Sequence, residues 1–553
     1  MNPPEPNSIS STCSRGGTVK QLYYYSDYPD VLIPEDVSLT QYIMPYLERH
    51  GDRVLLVDGL TSQEYTACDV KSAIEKFASA LSKLGFQKGD VVAFILPNSP
   101  QYVMAFHGAL LVGCVPTAVS IDFQLPEILK TIGTVSPKGL VTIATNDKIA
   151  DIQRDIPSIQ HTIVIGDVDV PPPNTLSYSK LLATSTGEYP RVTVNGRDEV
   201  AFLPFSSGTT GMPKGVELTH CNLIANVVQI QSIECTTYKY NDVVFGVLPY
   251  FHIYGMVFFF GIMLKVGVKS VIVPRFEPNS YLKLIQTHMV TISFIAPPVA
   301  IFFAKSPLID NYDLSSLRTL FCGAAPCSDN VENAIKQRFN GQVILKQAYG
   351  LTEASPAIVV TPYSLIKSGA SGKILPNIVL KIQDHVTKEL KEAGQSGEIC
   401  IKGPNVMKGY YKNPKATQEL FDQDGFLHTG DIGRIDPDGY LYLEDRVKEL
   451  IKYKGFQVPP AELEGVLLRH ESILDCAVMG VPDEEAGELP IAFVVLRPNS
   501  TTTEEHIHEW FNPQVAYYKK LRGGIRFIEQ VPKSAAGKIL RKDLRTKYIQ
   551  SAL

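Results

Sequence analysis

The chain has 553 residues, 52 basic and 57 acidic side chains, a formal net charge of −5, and 44% hydrophobic against 20% charged residues. That length exceeds one ordinary core and requires at least two domains. The balance is that of a globular protein, and the mildly acidic total leaves no electrostatic footprint for nucleic acid.

Residues 1–25 are drawn as a loose tail, rich in Pro, Ser and Asn through residue 20 and lacking the apolar stretch of a secretory leader. Residues 90–96 predict a strand and residues 101–112, after Ser-Pro, a helix. Strand signals return at 162–165, 200–203, 268–273, 291–295 and 319–321, the last leading into a helix over 328–339. Such alternation predicts an α/β fold with mixed, mostly parallel sheets flanked by helices. Ligands of such sheets bind beyond the carboxyl ends of the strands, which is where the loops 206–215, 323–326 and 348–353 fall. Residues 243–264 contain no Asp, Glu, Lys or Arg and are long enough to cross a bilayer. A crossing would bury Tyr250, His252 and Tyr254 unpaired around Pro249, so a buried strand–turn–helix is expected and no transmembrane segment. After residue 394 the pattern shortens to strands at 397–402 and 439–443. Asp445-Arg446-Val447-Lys448 is a charged junction, followed by a helix that opens at Pro459-Pro460 and runs to His470. The expected division is a tail (1–25), a large N-terminal domain (26–444), a hinge (445–449) and a small, mobile α+β domain (450–553). Nine scattered cysteines without Cys-x-x-Cys spacing predict reduced thiols in an intracellular protein.

The richest chemistry lies in Ser206, Ser207, Gly208, Thr209, Thr210 and Gly211, followed by Met-Pro-Lys214-Gly. Hydroxyls, unhindered amides and one cation after an apolar strand suit a polyphosphate, and the spacing is not that of a Walker A loop. Ala348, Tyr349, Gly350, Leu351, Thr352 and Glu353 offer an aromatic face for a base, a hydroxyl for a phosphate and a carboxylate for magnesium. Asp431 after Gly430 can accept from both hydroxyls of a ribose, with Arg446 beside it. Gly323, Ala324, Ala325 and Pro326 are small enough to admit an adenine.

In this order the motifs resemble the adenylate-forming superfamily, in the branch of plant 4-coumarate:CoA ligases, acyl-CoA synthetases and beetle luciferases. The resemblance spans residues 35–547 and is most specific at 206–215, 251–255, 349–353, 428–431, 451–457 and 532–538. It implies an ATP-dependent carboxylic acid:CoA ligase that forms an acyl-AMP and then an acyl-CoA thioester, on a fatty or an aromatic, 4-coumarate-like acid. ATP, Mg2+ and coenzyme A are the implied cofactors. The resemblance makes Lys538 the cation of adenylation and His252 the group beside the acyl carbonyl. It gives Thr352 a catalytic place, Glu353 the metal, and Lys452, Gly455 and Gln457 the thioester step. Gln347 and Lys454 join the nucleotide set, and Lys448 is the hinge about which the small domain turns. The implied acyl pocket comprises Tyr254, Val257, Ile295, Phe321, Gly323, Ala324, Ala348, Gly350, Pro356, Ala357 and Ile358. Phe321 stands where the plant enzymes often carry lysine and Val257 where they often carry asparagine, which favours an apolar acid over a hydroxycinnamate. Three other outcomes are a luciferase-like oxygenase, a loader of a carrier protein and a nucleotide binder without catalysis. The luciferin pocket's second histidine is Ile253 here, no carrier motif follows the small domain, and every charged group the chemistry needs is present. The expected partners are small molecules only, with the chain a monomer or homodimer. Ser551-Ala552-Leu553 resembles a peroxisomal address without its basic residue, so cytoplasm and peroxisome are both expected sites.

Overall fold

A computed structural model describes residues 22–166, 171–206, 213–232, 238–324, 327, 329–363, 365–454, 456–534 and 537–548. Helix and strand alternate from residue 91 to residue 165, and the strands join with Thr175–Ser177 in one all-parallel sheet ordered Val115–Ala118, Val91–Ile95, Gly139–Ile143, His161–Ile165, Thr175–Ser177. The helices Pro100–Leu111, Leu125–Ile132 and Ile149–Asp155 make the crossovers that parallel pairing requires.

A larger sheet carries the site. Its parallel half runs Val54–Asp58, Lys269–Ile272, Val243–Gly246, Ile292–Ile295, Thr319–Cys322, Ile344–Gly350. Four of its connections are helical: the run from Ile253 to Val266, then Pro278–His288, Pro297–Lys305 and Asp329–Arg338. From Ala357–Val360 onward helical crossovers give way to turns and loops, and pairing becomes antiparallel through Gly372–Ile374, Tyr440–Arg446, Leu427–Ile435, Gly397–Lys402 and Val379–Gln383. The edge strand is Tyr23–Tyr25, paired with Val379–Gln383. The tail drawn to residue 25 therefore ends inside a strand, because Tyr24 buries its ring in the core.

The uncharged stretch after residue 243 forms the strand Val243–Gly246 and then a helical run from Ile253 to Val266 whose middle, Val257–Ile262, is π-helical. Among the described residues no helix is long and apolar enough to cross a membrane. Asn98 satisfies the turn between strand and helix: its amide donates to the Leu248 carbonyl and accepts from the Tyr250 N–H, both at 2.8 Å.

Beyond residue 450 a second core gathers Leu463, Val478, Ile507 and Phe511 against a sheet ordered Phe456–Val458, Ile451–Tyr453, Gly487–Leu496, Ile473–Asp483, with Ile525–Phe527 parallel to Gly487–Leu496. The boundary drawn at 445 falls within a strand. Asp445 and Arg446 pair with Ile432 and Asp431, and the chain turns only at 447–449, where the Val447 N–H donates to Gly430.

Two histidines lie in the core of the large unit. His107 is held between Thr40 and the Phe260 carbonyl, and His220 accepts from the Leu39 N–H. Burial pushes each down to about 4. The unfolded chain, with histidine near 6.5, takes up protons first as pH falls. Stability is therefore expected to drop between pH 6.5 and about 4, at up to about 1.4 kcal/mol per pH unit for each histidine. Urea unfolding at stepped pH measures this; a His107→Gln variant with an unchanged slope would remove that residue from the account.

Candidate active site

The Gly-rich run is the tip of a hairpin. Phe205–Ser206 pairs with the start of Lys214–Thr219, so that Ser206 faces Lys214 across the ladder. Ser207, Gly208, Thr209, Thr210 and Gly211 lie outside the described residues, as do Ala325, Pro326 and Gly455, the side chain of Gln457, and Ser551, Ala552 and Leu553. The outer edge of Lys214–Thr219 pairs with Gly409–Tyr410, and the Lys214 ammonium lies 4.8 Å from the centre of the Tyr410 ring. Tyr410 in turn donates to Glu353 at 2.8 Å. Glu353 is buried, so the carboxylate expected to hold magnesium is fixed at the base of the phosphate hairpin.

Asp431 anchors a second polar cluster. It is 4% exposed, accepts from the Tyr349 hydroxyl at 2.8 Å and pairs with the Arg446 guanidinium at 3.0 Å. Burial, with the Asp431 charge, raises the Tyr349 phenol well above its ordinary range, so it stays a donor. Gln347 does not present its amide to a ligand. The amide donates to the Cys327 carbonyl at 3.2 Å and accepts from the Cys327 N–H at 3.0 Å. It thereby pins the loop that begins with Gly323 and Ala324, the latter held at φ +75°.

The residues expected to border the acid gather around aromatic rings. Tyr254 donates to the Phe321 carbonyl at 3.1 Å, and Gly323 is required beneath it, since a Cβ there would come within 2.9 Å of the Tyr254 ring. Phe258 and Phe294 complete the cluster around Phe321, with ring centres 5.4 and 5.2 Å away; neither ring was singled out in the sequence. Val257 is buried beside them. Ile295 is not part of this wall: strand alternation turns it to the opposite face, into the core with Phe245, Val299 and Cys322. On the other side Gly350 backs onto the Pro356 carbonyl, which a Cβ would meet at 2.0 Å. Asn226 and Asn405 both donate to the Ala357 carbonyl, at 2.8 and 3.1 Å. These two asparagines fix the turn through Thr352, Pro356, Ala357 and Ile358, and no local pattern marks either of them.

Lys538 reaches this cleft from the other end of the chain. Its turn is closed by a Ser534 N–H to Lys538 carbonyl bond of 2.8 Å, and Gly537, at φ +80°, packs against Pro298 and Ala296 of the large unit. Burial lowers the Lys538 ammonium below the usual lysine range; Arg446 adds to the lowering, while Asp431, Glu353 and Glu449 oppose it. The same charge, with burial as the larger cause, pushes His252 down to about 4, which leaves a neutral imidazole whose ring centre lies 4.2 Å from that of Phe251, tilted by 40°. Lys538, His252, Glu353, Asp431 and Arg446 thus share one electrostatic environment.

The remaining expected residues stay outside it. Lys452 is exposed, its N–H given to Glu488, and Lys454 spends its ammonium on Glu485 at 2.7 Å, so Lys454 does not join the nucleotide side. Lys448 lies in the exposed turn between the two units. A further group of metal-ligating type, Glu398, Cys400 and His428, has donor atoms within 4.8 Å of one another. Glu398 and Cys400 approach the same ring nitrogen of His428, at 2.9 and 3.7 Å, which makes the group a prop for the strand Leu427–Ile435 that carries Asp431.

A family model described as AMP-binding enzyme matches residues 46–411, and the AMP-binding enzyme C-terminal domain matches residues 462–538. Probable 4-coumarate–CoA ligase 1 of Dictyostelium discoideum is 49% identical over 538 residues, 95% of this chain and 98% of its own length. 4-Coumarate–CoA ligase 1 of Petroselinum crispum is 42% identical over 543 residues, 97% and 98% of the two chains. ATP-bound MatB from Rhodopseudomonas palustris superposes with a TM-score of 0.83 at 25% identity, covering 93% of this chain and 99% of its own. The anthranilate CoA ligase AuaEII, in complex with anthranoyl-AMP, shares the fold with a TM-score of 0.85 at 24% identity, over 94% and 99%. The chain belongs to the AMP-binding enzyme family, as an acid–thiol ligase of the adenylate-forming superfamily.

Proposed function

We propose that this chain joins a carboxylic acid to the thiol of coenzyme A in two steps driven by ATP. In the first, a carboxylate oxygen of the acid attacks the α-phosphorus, the bond to the bridging oxygen breaks, and pyrophosphate leaves an acyl-adenylate. In the second, the thiolate sulfur attacks the acyl carbon and AMP departs with its oxygen. The observation that carries this reading is the half-buried Lys538, whose ammonium shares one electrostatic environment with Glu353, Asp431, Arg446 and His252. The first step gathers negative charge around phosphorus, and a fixed cation in a dry cleft stabilises that charge far better than water does.

In this reading Asp431 and Arg446 orient the ribose, and Ser206 and Lys214 hold the phosphates from the hairpin. Thr352 donates to the α-phosphate. Neutral His252 orients the acid without adding charge. The donors present suit magnesium, a hard cation that prefers carboxylate oxygen. Glu353 would hold it, and when bound it would offset phosphate charge. Lys448 is the hinge, and turning the small unit (450–553) about it withdraws Lys538 and presents Lys452 for thioester formation. The acid is fatty or aromatic; relatives named for 4-coumarate favour the aromatic class. The test is exchange of radiolabelled pyrophosphate into ATP across a panel of fatty and arylpropenoic acids, followed by CoA-dependent AMP release. Acid-dependent exchange with CoA-dependent turnover is the expected result. Absence of exchange with every acid would sink the proposal, and exchange without CoA turnover would point to a carrier protein as the acceptor.

A further inference from the structure

The prop beneath Leu427–Ile435 is over-supplied at a single atom. Cys400 lies directly across the ladder from His428, and Glu398 stands two residues earlier, where the register shifts. Three groups converge on the His428 Nδ1: the Glu398 carboxylate at 2.9 Å, the Gln383 amide at 3.3 Å and the Cys400 sulfur at 3.7 Å. A neutral ring nitrogen either gives one proton or accepts one, so it serves one of the three at a time. Glu398 and Cys400 are buried, whereas the His428 side chain stays 18% exposed and leaves an approach from solvent.

One ion can serve the whole set. Zinc takes imidazole nitrogen, thiolate sulfur and carboxylate oxygen at about 2.0–2.3 Å, which in a tetrahedron puts the donors about 3.4–3.6 Å apart. Here the donor atoms of Glu398, Cys400 and His428 lie within 4.8 Å of one another, so a small turn of the Glu398 carboxylate closes the set. Gln383, with its amide turned over, offers an oxygen for the fourth place. Asp422 stands 4.0 Å from the His428 Nε2 and is held by Lys381 at 2.6 Å, in the place of the outer carboxylate that metal-bound histidines keep. Lys388, 3.7 Å from Glu398, is exposed and can withdraw into water. Burial keeps the Cys400 thiol protonated; coordination releases that proton to solvent as the sulfur–metal bond forms.

The same carboxylate supports the nucleotide side. The Gly430 N–H reaches Glu398, and Thr429 donates to the Ile399 carbonyl at 2.8 Å while accepting from the Asp431 N–H at 3.1 Å. An ion that draws Glu398 to itself takes that support from Gly430, the residue before Asp431. We propose that Glu398, Cys400 and His428 form an inhibitory site for a thiophilic divalent cation of the zinc class, whose binding weakens the hold on ATP. The inhibition rests on the acid–CoA ligase reading, in which Asp431 orients the ribose; the metal site does not.

Cobalt(II) tests the site on the full-length enzyme, because a thiolate bound to cobalt gives an intense ultraviolet charge-transfer band. The expected result is a band that saturates at one cobalt per chain, is competed away by zinc and is lost in Cys400→Ala. His428→Gln should weaken cobalt binding by about tenfold or more. With free zinc held by a metal buffer, the KM for ATP in pyrophosphate exchange should rise about fivefold or more in the wild type, and zinc should not move it in Cys400→Ala. A wild type without the band, or a band untouched by Cys400→Ala, overturns the site without recourse to activity. A KM for ATP unmoved at saturating zinc overturns the inhibition. Failure of the underlying reading looks different, since the metal-free enzyme would then support no pyrophosphate exchange with any acid while the cobalt band remained.

Discussion

Replacing Lys538 by alanine is expected to slow acyl-adenylate formation by about a hundredfold to a thousandfold, while thioester formation from a supplied acyl-adenylate and CoA stays within a few-fold of the wild type. The size of the effect follows from the setting of the ammonium. It is half-buried, shares its surroundings with Glu353, Asp431 and Arg446, and is delivered on a turn packed against Pro298 and Ala296. Lys452, exposed in this arrangement, should show the reverse pattern when replaced by alanine, with adenylation intact and thioester formation impaired. Pyrophosphate release with acid and ATP reads the first step; disappearance of synthetic acyl-adenylate with CoA reads the second. Equal loss in both steps for both variants would argue that the small unit does not alternate between two jobs.

Asp431→Ala is expected to have the next largest effect, lowering kcat/KM for ATP by about tenfold to a hundredfold or more, because charged hydrogen bonds contribute about 1.5–3 kcal/mol each. The carboxylate is 4% exposed and already holds Tyr349 and Arg446 at 2.8 and 3.0 Å. Its removal leaves a buried phenol and a partly exposed guanidinium without their acceptor, so a loss of stability of about 1–3 kcal/mol should accompany the kinetic defect. Tyr349→Phe separates the two consequences: it removes one donor, leaves the carboxylate, and should cost about 1 kcal/mol of stability with a small change in the KM for ATP. The measurements are ATP dependence of pyrophosphate exchange and urea unfolding. An Asp431→Ala enzyme with the wild-type KM for ATP would remove this residue from nucleotide binding.

Much of this arrangement was legible in the residues. The strands near 91, 162, 292 and 319 announce themselves as short apolar runs, and their helices follow at the spacing parallel pairing demands. Asp431, Tyr349, Glu353 and Lys538 carry their chemistry in their side chains, and all but Asp431, which sits mid-strand, stand in loops, turns or near a strand end. The rest depended on contacts distant in sequence. Asn226 and Asn405 meet at the Ala357 carbonyl from positions 131 and 48 residues away. Tyr410 finds Glu353 across 57 residues. Ile295 and Phe294 are neighbours of similar character, and only the pleat decides which of them joins the cluster around Phe321. Gln347 looked like a ligand-binding amide and is instead a brace, because its partner Cys327 is brought alongside by the crossover helix Asp329–Arg338.

The alternation of the strand Ile344–Gly350 has a bearing on how such an enzyme diversifies. Odd positions, 347 and 349, hold Cys327 and Asp431; even positions, 348 and 350, belong to the set that the proposed reading places against the acid. Substitutions at the even set can retune the diet of the enzyme while leaving its energy source untouched. A single inserted residue in the same seven would swap the two duties and spoil both.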